Sequence, residues 1–451
     1  MKRIFLIQLI WMLTAVAAAQ QVTGIWKGSL MGQLPMVFNI VSPAEATISS
    51  PLQGAWEIPC DSVAVAPDGS SVYIGMASLG AAFEGKMSDD GSHLTGSFIQ
   101  GVTIPLDMTR GTADDLKPDR PQTPRPPFFY QSEEVTFNNG DFTLAGTLTL
   151  PALRPRGNHG YPAVVLITGS GKQNRDEEIM GHKPFAVIAD YLTRAGIAVL
   201  RYDDRGAGSS SAATGSETTL DNAADAMAAL RYLRSRSEVD TTRTGLLGHS
   251  EGGTIAFINA ASHPAEVGFV VSLAGAAVKG EELIVRQNLD LIALSGSKLD
   301  AALTDSLRHV FSIVASAADS LGAAAALRPA MRALHPEADN SQLAAMITPM
   351  LTPWYRAFMR LDPAGYIAKI TCPVLALNGS WDDQVNSQEN LAAISAALPS
   401  AETVEFPGLN HMFQEVPSRQ AAMNYGAISQ TISPDVLTKI AAWITKLPKN
   451  H

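Results

Sequence analysis

Two periodicities divide the chain. Between residues 22 and 110, short runs of alternating or β-branched residues recur at 22–30, 35–41, 62–66, 71–76, 81–86, 93–99 and 103–109. Turn signals such as Pro67-Asp68-Gly69 and Asp89-Asp90-Gly91 separate them. The pattern predicts a small all-β domain over residues 20–110, a meander closing into a barrel or sandwich. From about residue 130 the period changes. Residues 135–137 and 142–150 predict a hairpin, and the unbroken apolar run 163–168 predicts a strand buried on both faces. Strand signals at 198–202, 243–247, 268–273, 373–378 and 401–406 then alternate with helical ones at 183–194, 220–235, 252–261, 387–398 and 434–446. Such alternation predicts an α/β domain over residues 130–451, a mostly parallel sheet with helices on both faces.

One stretch breaks the alternation. Residues 278–366 are rich in Ala, Leu and Met at helical spacing, and they fall between two strands of the sheet. A helical insertion at the carboxyl end of such a sheet reads as a cap over a ligand crevice. A packing subdomain with no role in the site is the plainer alternative. Residues 111–129, with Pro118, Pro121, Pro124, Pro126 and Pro127, read as an extended linker between the two domains. Gly24-Ile25-Trp26 resembles the first-strand G-x-W of lipocalin-like barrels, though three residues read first as a strand with an ordinary core tryptophan.

The first 19 residues read as an export signal: Lys2 and Arg3, an apolar stretch from Ile4 to Val16, then Ala17-Ala18-Ala19. The apolar run is short for a spanning helix, no cysteine follows it for a lipid anchor, and no later segment has the uncharged length to cross a bilayer. An exported, periplasmic or secreted chain without a stable membrane anchor is therefore expected. Removing the segment takes two cations and no acids, so the formal charge moves from −10 to −12. An acidic chain without a basic cluster is a poor partner for nucleic acid. Two cysteines, Cys60 and Cys372, exclude a disulfide scaffold and read as free thiols, with a single pairing open on arithmetic alone.

The chemistry concentrates in Gly245-Leu246-Leu247-Gly248-His249-Ser250-Glu251-Gly252-Gly253. A bare G-x-S-x-G arises by chance roughly 0.2 times in a chain this long. Its weight comes from position, directly after an apolar strand and directly before a helix. A serine on that sharp turn projects its Oγ from the sheet, and the next N–H lies at a helix N-terminus, where developing negative charge is favoured. The hydroxyl needs a base, and the base an orienting acid, in chain order Ser, Asp or Glu, His. His411, in the loop after strand 401–406, is placed for the base. Asp382 or Asp383, after strand 373–378, is placed for the acid. His249 adjoins the serine, but a sharp elbow should turn it away, so it reads as structural. The turn Thr168-Gly169-Ser170-Gly171 stands where a second oxyanion N–H is needed. It is not a P-loop, since Leu166 and Gln173 replace the required Gly and Ser or Thr. The Arg205–Gly208 turn lacks the third glycine of a dinucleotide fingerprint. No cofactor or metal is implied.

With these residues in place, 130–448 resembles an α/β-hydrolase, and specifically the exported bacterial serine esterases with a G-H-S-E-G-G elbow. Beyond the elbow the resemblance rests on Thr168–Gly171, Tyr202–Ser209, Asn378-Gly379-Ser380-Trp381-Asp382 and Gly408-Leu409-Asn410-His411. It implies Asp382 as the acid and oxyanion N–H groups from Glu251 and Ser170, with Gly171 as the competing choice. The Asp203–Ser209 turn lies near the site in such enzymes, where it either serves the site or braces the sheet. The resemblance implies a serine carboxylesterase acting through an acyl-enzyme on small-molecule esters. A peptidase, amidase or thioesterase using the same triad is the alternative. About 90 residues of β structure amount to roughly two propeller blades, which excludes a prolyl-oligopeptidase architecture. An inactive binding protein is the third reading, set against a full complement of catalytic residue types.

Overall fold

The computed structural model describes residues 22–53, 55–116, 119–153 and 160–448. The signal-like segment and Pro118 of the linker lie outside them. The chain divides into two compact units: residues up to Pro121 with Ile179–Gly181 and Asn424–Ser429, and the remainder. The first unit thus takes in two short pieces from the later sequence.

Nine strands build the first unit: β1 (Gly24–Leu30), β2 (Leu34–Ser42), β3 (Glu45–Ser50), β4 (Ala55–Pro59), β5 (Ser62–Val65), β6 (Ser71–Met76), β7 (Ala81–Met87), β8 (His93–Gln100) and β9 (Val102–Arg110). All pair antiparallel in the order β4-β3-β2-β1-β9-β8-β7-β6-β5. The two edges come together at one point of the chain. The Cys60 N–H donates to the Ala46 carbonyl of β3, and the next N–H, of Asp61, donates to Gly75 of β6, both at 2.9 Å. The sheet therefore curls until its edge strands are neighbours, which removes long open edges. The sequence pattern finds seven of the nine strands. It misses β3 and β4, which are hydroxyl-rich or short and fenced by Pro43, Pro51 and Pro59. Pairing with neighbours, not local pattern, makes them strands.

Inward residues fill the curl. Trp26, Phe38, Ile74, Phe83 and Leu106 are essentially inaccessible. The Trp26 indole N–H donates to the Val22 carbonyl at 2.8 Å, and the Arg110 guanidinium lies 3.8 Å from the ring centre. Truncating this side chain removes its apolar burial and leaves a cavity. Trp26→Ala is expected to cost about 3–5 kcal/mol of the first unit's stability, read as an earlier urea transition of β-sheet signal; an unshifted transition contradicts this packing.

The second unit is an eight-stranded sheet of β10 (Gln131–Asn139), β11 (Phe142–Leu150), β12 (Tyr161–Ile167), β13 (Ala198–Tyr202), β14 (Val239–His249), β15 (Val270–Leu273), β16 (Val374–Gly379) and β17 (Glu402–Phe406). Their order is β10-β11-β13-β12-β14-β15-β16-β17. Pairing is antiparallel through β10, β11 and β13, then parallel to β17. The chain runs from β12 outward to β13 on one side and returns to β14 on the other. That reversal opens a crevice at the carboxyl end of β12.

Helices α1 (Pro184–Arg194), α2 (Thr219–Arg234) and α3 (Glu251–Ser262) connect these strands. Ala163, Val165 and Ile167 of β12 join one core with α2 and α3, while Val164 and Leu166 join the opposite core with α1. Burial on both faces explains the unbroken apolar run. Between β15 and β16 come α4 (Gly280–Leu294), α5 (Ala301–Ser316), α6 (Ser320–Leu334), α7 (Asn340–Ile347), α8 (Pro353–Arg360) and α9 (Pro363–Ile367). Asp300, Asp319 and Asp339 cap α5, α6 and α7 by accepting first-turn N–H bonds. Val310, Phe311, Val314, Leu327 and Met331 give the insertion its own small core. Helices α10 (Ser387–Ala397) and α11 (Pro434–Lys446) complete the unit. No described helix is long and apolar enough to cross a membrane.

Candidate active site

The turn from β14 to α3 is set by backbone proximity. A Cβ on Gly252 would lie 2.1 Å from the Ile167 carbonyl oxygen, and one on Gly248 would lie 1.9 Å from the Gly252 carbonyl oxygen. Only glycine at both places lets the turn pack against the end of β12. Ser250 between them is forced to φ 53° and ψ −121°, a conformation that costs a non-glycine residue on the order of 1–3 kcal/mol. The Ser250 N–H is tied to the Leu273 carbonyl at 2.8 Å, which fixes the elbow to β15. Glu251 opens α3, so its N–H belongs to the first turn, where no intrahelical acceptor exists.

His411 and Asp382 come from loops after β17 and β16, and the structure brings them together. The His411 Nδ1 lies 2.8 Å from Asp382 Oδ2. The other oxygen of Asp382 accepts the N–H groups of Gln384 and Val385, both at 2.8 Å. With its side chain wholly buried, Asp382 is held for a single orientation. Asp383 turns the other way and pairs with Arg419 at 3.0 Å, so it does not reach His411. Burial raises the Asp383 pKa, opposed by Arg419. Asn410 braces the histidine loop through Gln414 and the Ala422 carbonyl.

His249, expected to turn away from the serine and to be structural, packs against the histidine loop. As the last residue of β14 it turns opposite to Ser250 and enters the gap between two loops. Its Nδ1 lies 3.0 Å from Glu177 Oε1, its Nε2 3.0 Å from the His411 carbonyl oxygen, and its ring centre 4.8 Å from that of His411. Burial alone would lower its pKa, but the charge and hydrogen bond of Glu177 and the His411 carbonyl raise it on balance. Glu177 also accepts the Gly169 N–H at 2.7 Å. One buried pair thus links the elbow, the histidine loop and the turn after β12. Nothing in the local sequence marks Glu177, which sits in a loop at φ 50°.

That turn has two further anchors. Asp204 accepts the Thr168 hydroxyl at 2.9 Å and the Gln173 N–H at 3.0 Å. Asp203 accepts the Arg175 N–H and guanidinium at 2.8 and 2.7 Å. The 203–209 turn therefore braces the loop beside Ser250. The Gly169 N–H is already bonded to Glu177. Of the two N–H groups expected as donors in that loop, those of Ser170 and Gly171, only that of Ser170 belongs to a residue set apart by a pocket. Ser170 lines a pocket with Ser250 and Glu251. Gly171, at φ 98°, does not line it.

A reversed mixed sheet, a strained serine elbow at its switch point and a His–Asp pair beside it define an α/β-hydrolase. The chain belongs to the serine aminopeptidase S33 family, whose profile matches residues 182–415, just over half of its length. Esterase EstD of Thermotoga maritima is 25% identical over 332 residues, covering 71% of this chain and 69% of that protein. Among solved structures, hypothetical protein PA2218 of Pseudomonas aeruginosa is 18% identical, covering 73% of this chain and 96% of that one, with a TM-score of 0.44. Est1E of Butyrivibrio proteoclasticus, with ferulic acid bound, is 17% identical, covering 69% and 96%, with a TM-score of 0.43.

Two outcomes test the network. His249→Gln removes the imidazole between Glu177 and the His411 loop, and a misplacement of the order of 1 Å costs about 10²-fold in rate. The kcat/KM for hydrolysis is expected to fall by about that factor; an unchanged value contradicts the brace. Burial pushes Asp204 up to about 7, against the lowering effect of the Gln173 N–H and the Thr168 hydroxyl. From about pH 4 to 7 the folded chain then holds a proton that the unfolded chain has released. The stability from this group is complete below that window and lost as pH rises through it. Urea midpoints of the native chain should decline relative to Asp204→Asn between pH 4 and 8, and parallel curves would show that Asp204 titrates normally.

Proposed function

We propose that the chain is an exported serine carboxylesterase, with Ser250 as nucleophile, His411 as general base and Asp382 as the acid that orients it. The observation that carries this reading is the 2.8 Å pair of His411 and Asp382, with His411 packed against His249, the residue before the strained Ser250. His411 takes the Ser250 proton as Oγ attacks the ester carbonyl. The N–H groups of Glu251 and Ser170 receive the tetrahedral oxyanion. His411 returns the proton to the leaving alcohol, then activates water to free the acid and regenerate Ser250. The name of the curated relative, esterase EstD, favours the ester bond. Export rests on the basic, apolar and small-residue order of residues 1–19.

The family name keeps an aminopeptidase in view. Such an enzyme holds a free α-ammonium beside the scissile bond, and among the described residues Glu251 is the one carboxylate lining the pocket at Ser250. Its oxygens already accept the Thr219 hydroxyl at 2.6 Å and the Trp354 indole N–H at 2.9 and 3.1 Å. A carboxylate so engaged favours esters over aminoacyl amides. Ser250→Ala is expected to lower short-chain p-nitrophenyl ester turnover by at least 10³-fold, and Asp382→Asn by about 10⁴-fold through the wrong histidine tautomer. Retained turnover in Ser250→Ala, or faster cleavage of aminoacyl nitroanilides than of esters with matched acyl groups, counts against the proposal.

A further inference from the structure

The pocket beside Ser250 has a volume of about 260 Å³. Its lining includes Ser250 and both residues proposed to supply oxyanion N–H groups, but not His411. The leaving-group oxygen must lie within hydrogen-bond reach of the base that protonates it. The part of an ester that enters this pocket is therefore the acyl group. The size is at the lower margin of ligand pockets, which run from roughly 300 to 1,000 Å³. A pocket at that margin suits a short acyl chain better than a long one.

The walls select by charge as well as length. Leu283 and Ile284 of α4, Trp354 and Phe358 of α8, and Val385 supply apolar surface. Among the described residues no Lys, Arg or His lines the pocket, so an anionic acyl group would be desolvated beside Glu251 without a counter-charge.

One wall is tethered to the catalytic elbow. Glu251 is 3% exposed, and its carboxylate holds the Trp354 indole N–H while receiving the Thr219 hydroxyl of α2. Trp354 stacks on Phe358 with ring centres 5.4 Å apart and planes 23° from parallel. Swinging the indole outward would strip a buried carboxylate of a donor, which opposes the motion. The residue next to the nucleophile thus fixes the cap residue that bounds the acyl group.

We propose that this pocket admits short, uncharged acyl groups and excludes long ones, and that Trp354, held by Glu251, is the residue that sets the limit. The proposal rests on the esterase reading. The test measures kcat/KM of the mature chain for p-nitrophenyl esters from acetate to dodecanoate, with the p-nitrophenyl hemiglutarate as the anionic member. Dodecanoate and hemiglutarate are each expected at least tenfold below butyrate. In Trp354→Ala the dodecanoate-to-butyrate ratio should rise at least tenfold. Trp354→Phe keeps most of the bulk but loses the N–H, and the ratio should rise there too, by a smaller factor. Because each ratio is taken within one protein, the fraction of active enzyme cancels. Equal rates for butyrate and dodecanoate in the unsubstituted chain overturn the length limit. A ratio unchanged in both variants overturns the role of Trp354, and one unchanged only in Trp354→Phe overturns the tether. Absence of turnover for every ester, charged or neutral, overturns the esterase reading and the proposal with it.

Discussion

The contact on which the site depends is between backbones: the end of β12 against the turn from β14 into α3. Gly252 meets the Ile167 carbonyl too closely for any side chain, and Gly248 meets Gly252 itself. That approach obliges Ser250 to take φ 53°, which in turn aims its side chain out of the sheet and sets α3 to begin directly behind it. Moving the turn outward by the width of a methyl group would relieve the strain. It would also separate Ser250 from the loop that begins at Thr168. The strain is therefore the local cost of bringing three chain segments to one point, and the two buried cores on either side of β12 hold them there.

Around that point the structure uses carboxylates as fasteners. Glu177, Asp203 and Asp204 all bind backbone or side-chain groups of the 168–175 loop. Glu251 fastens the cap, and Asp382 fastens His411. These groups account for several of the buried acids of a chain whose formal charge is −10. Each is paid for by desolvation and survives because N–H donors or cations meet it. The acidity of the composition, which in the sequence argues only against polyanionic partners, thus includes acids that shape the site.

Much of this was legible in the sequence because it is local. The G-x-S-x-G turn, the apolar run of β12, the alternation of strands and helices and the candidate positions Ser250, Asp382 or Asp383, and His411 follow from short stretches of sequence read against the strand order. The separation of Asp382 from Asp383 needed the family resemblance, since both follow the same strand; in the fold one faces His411 and the other Arg419. What stayed hidden is tertiary. Glu177 lies 72 positions from His249, and Glu251 lies 103 from Trp354. No window contains both members of either pair. Strands β3 and β4 were missed for a related reason, because cross-strand pairing overrides a sequence of prolines and hydroxyls.

The central claim is that Ser250, at its strained elbow, is the nucleophile. Incubating the chain with a fluorophosphonate and mapping the adduct by peptide mass spectrometry tests it directly. One stoichiometric phosphonyl adduct is expected, on Ser250, lost in His411→Ala. A folded chain that forms no adduct, or forms it on another residue, would contradict it.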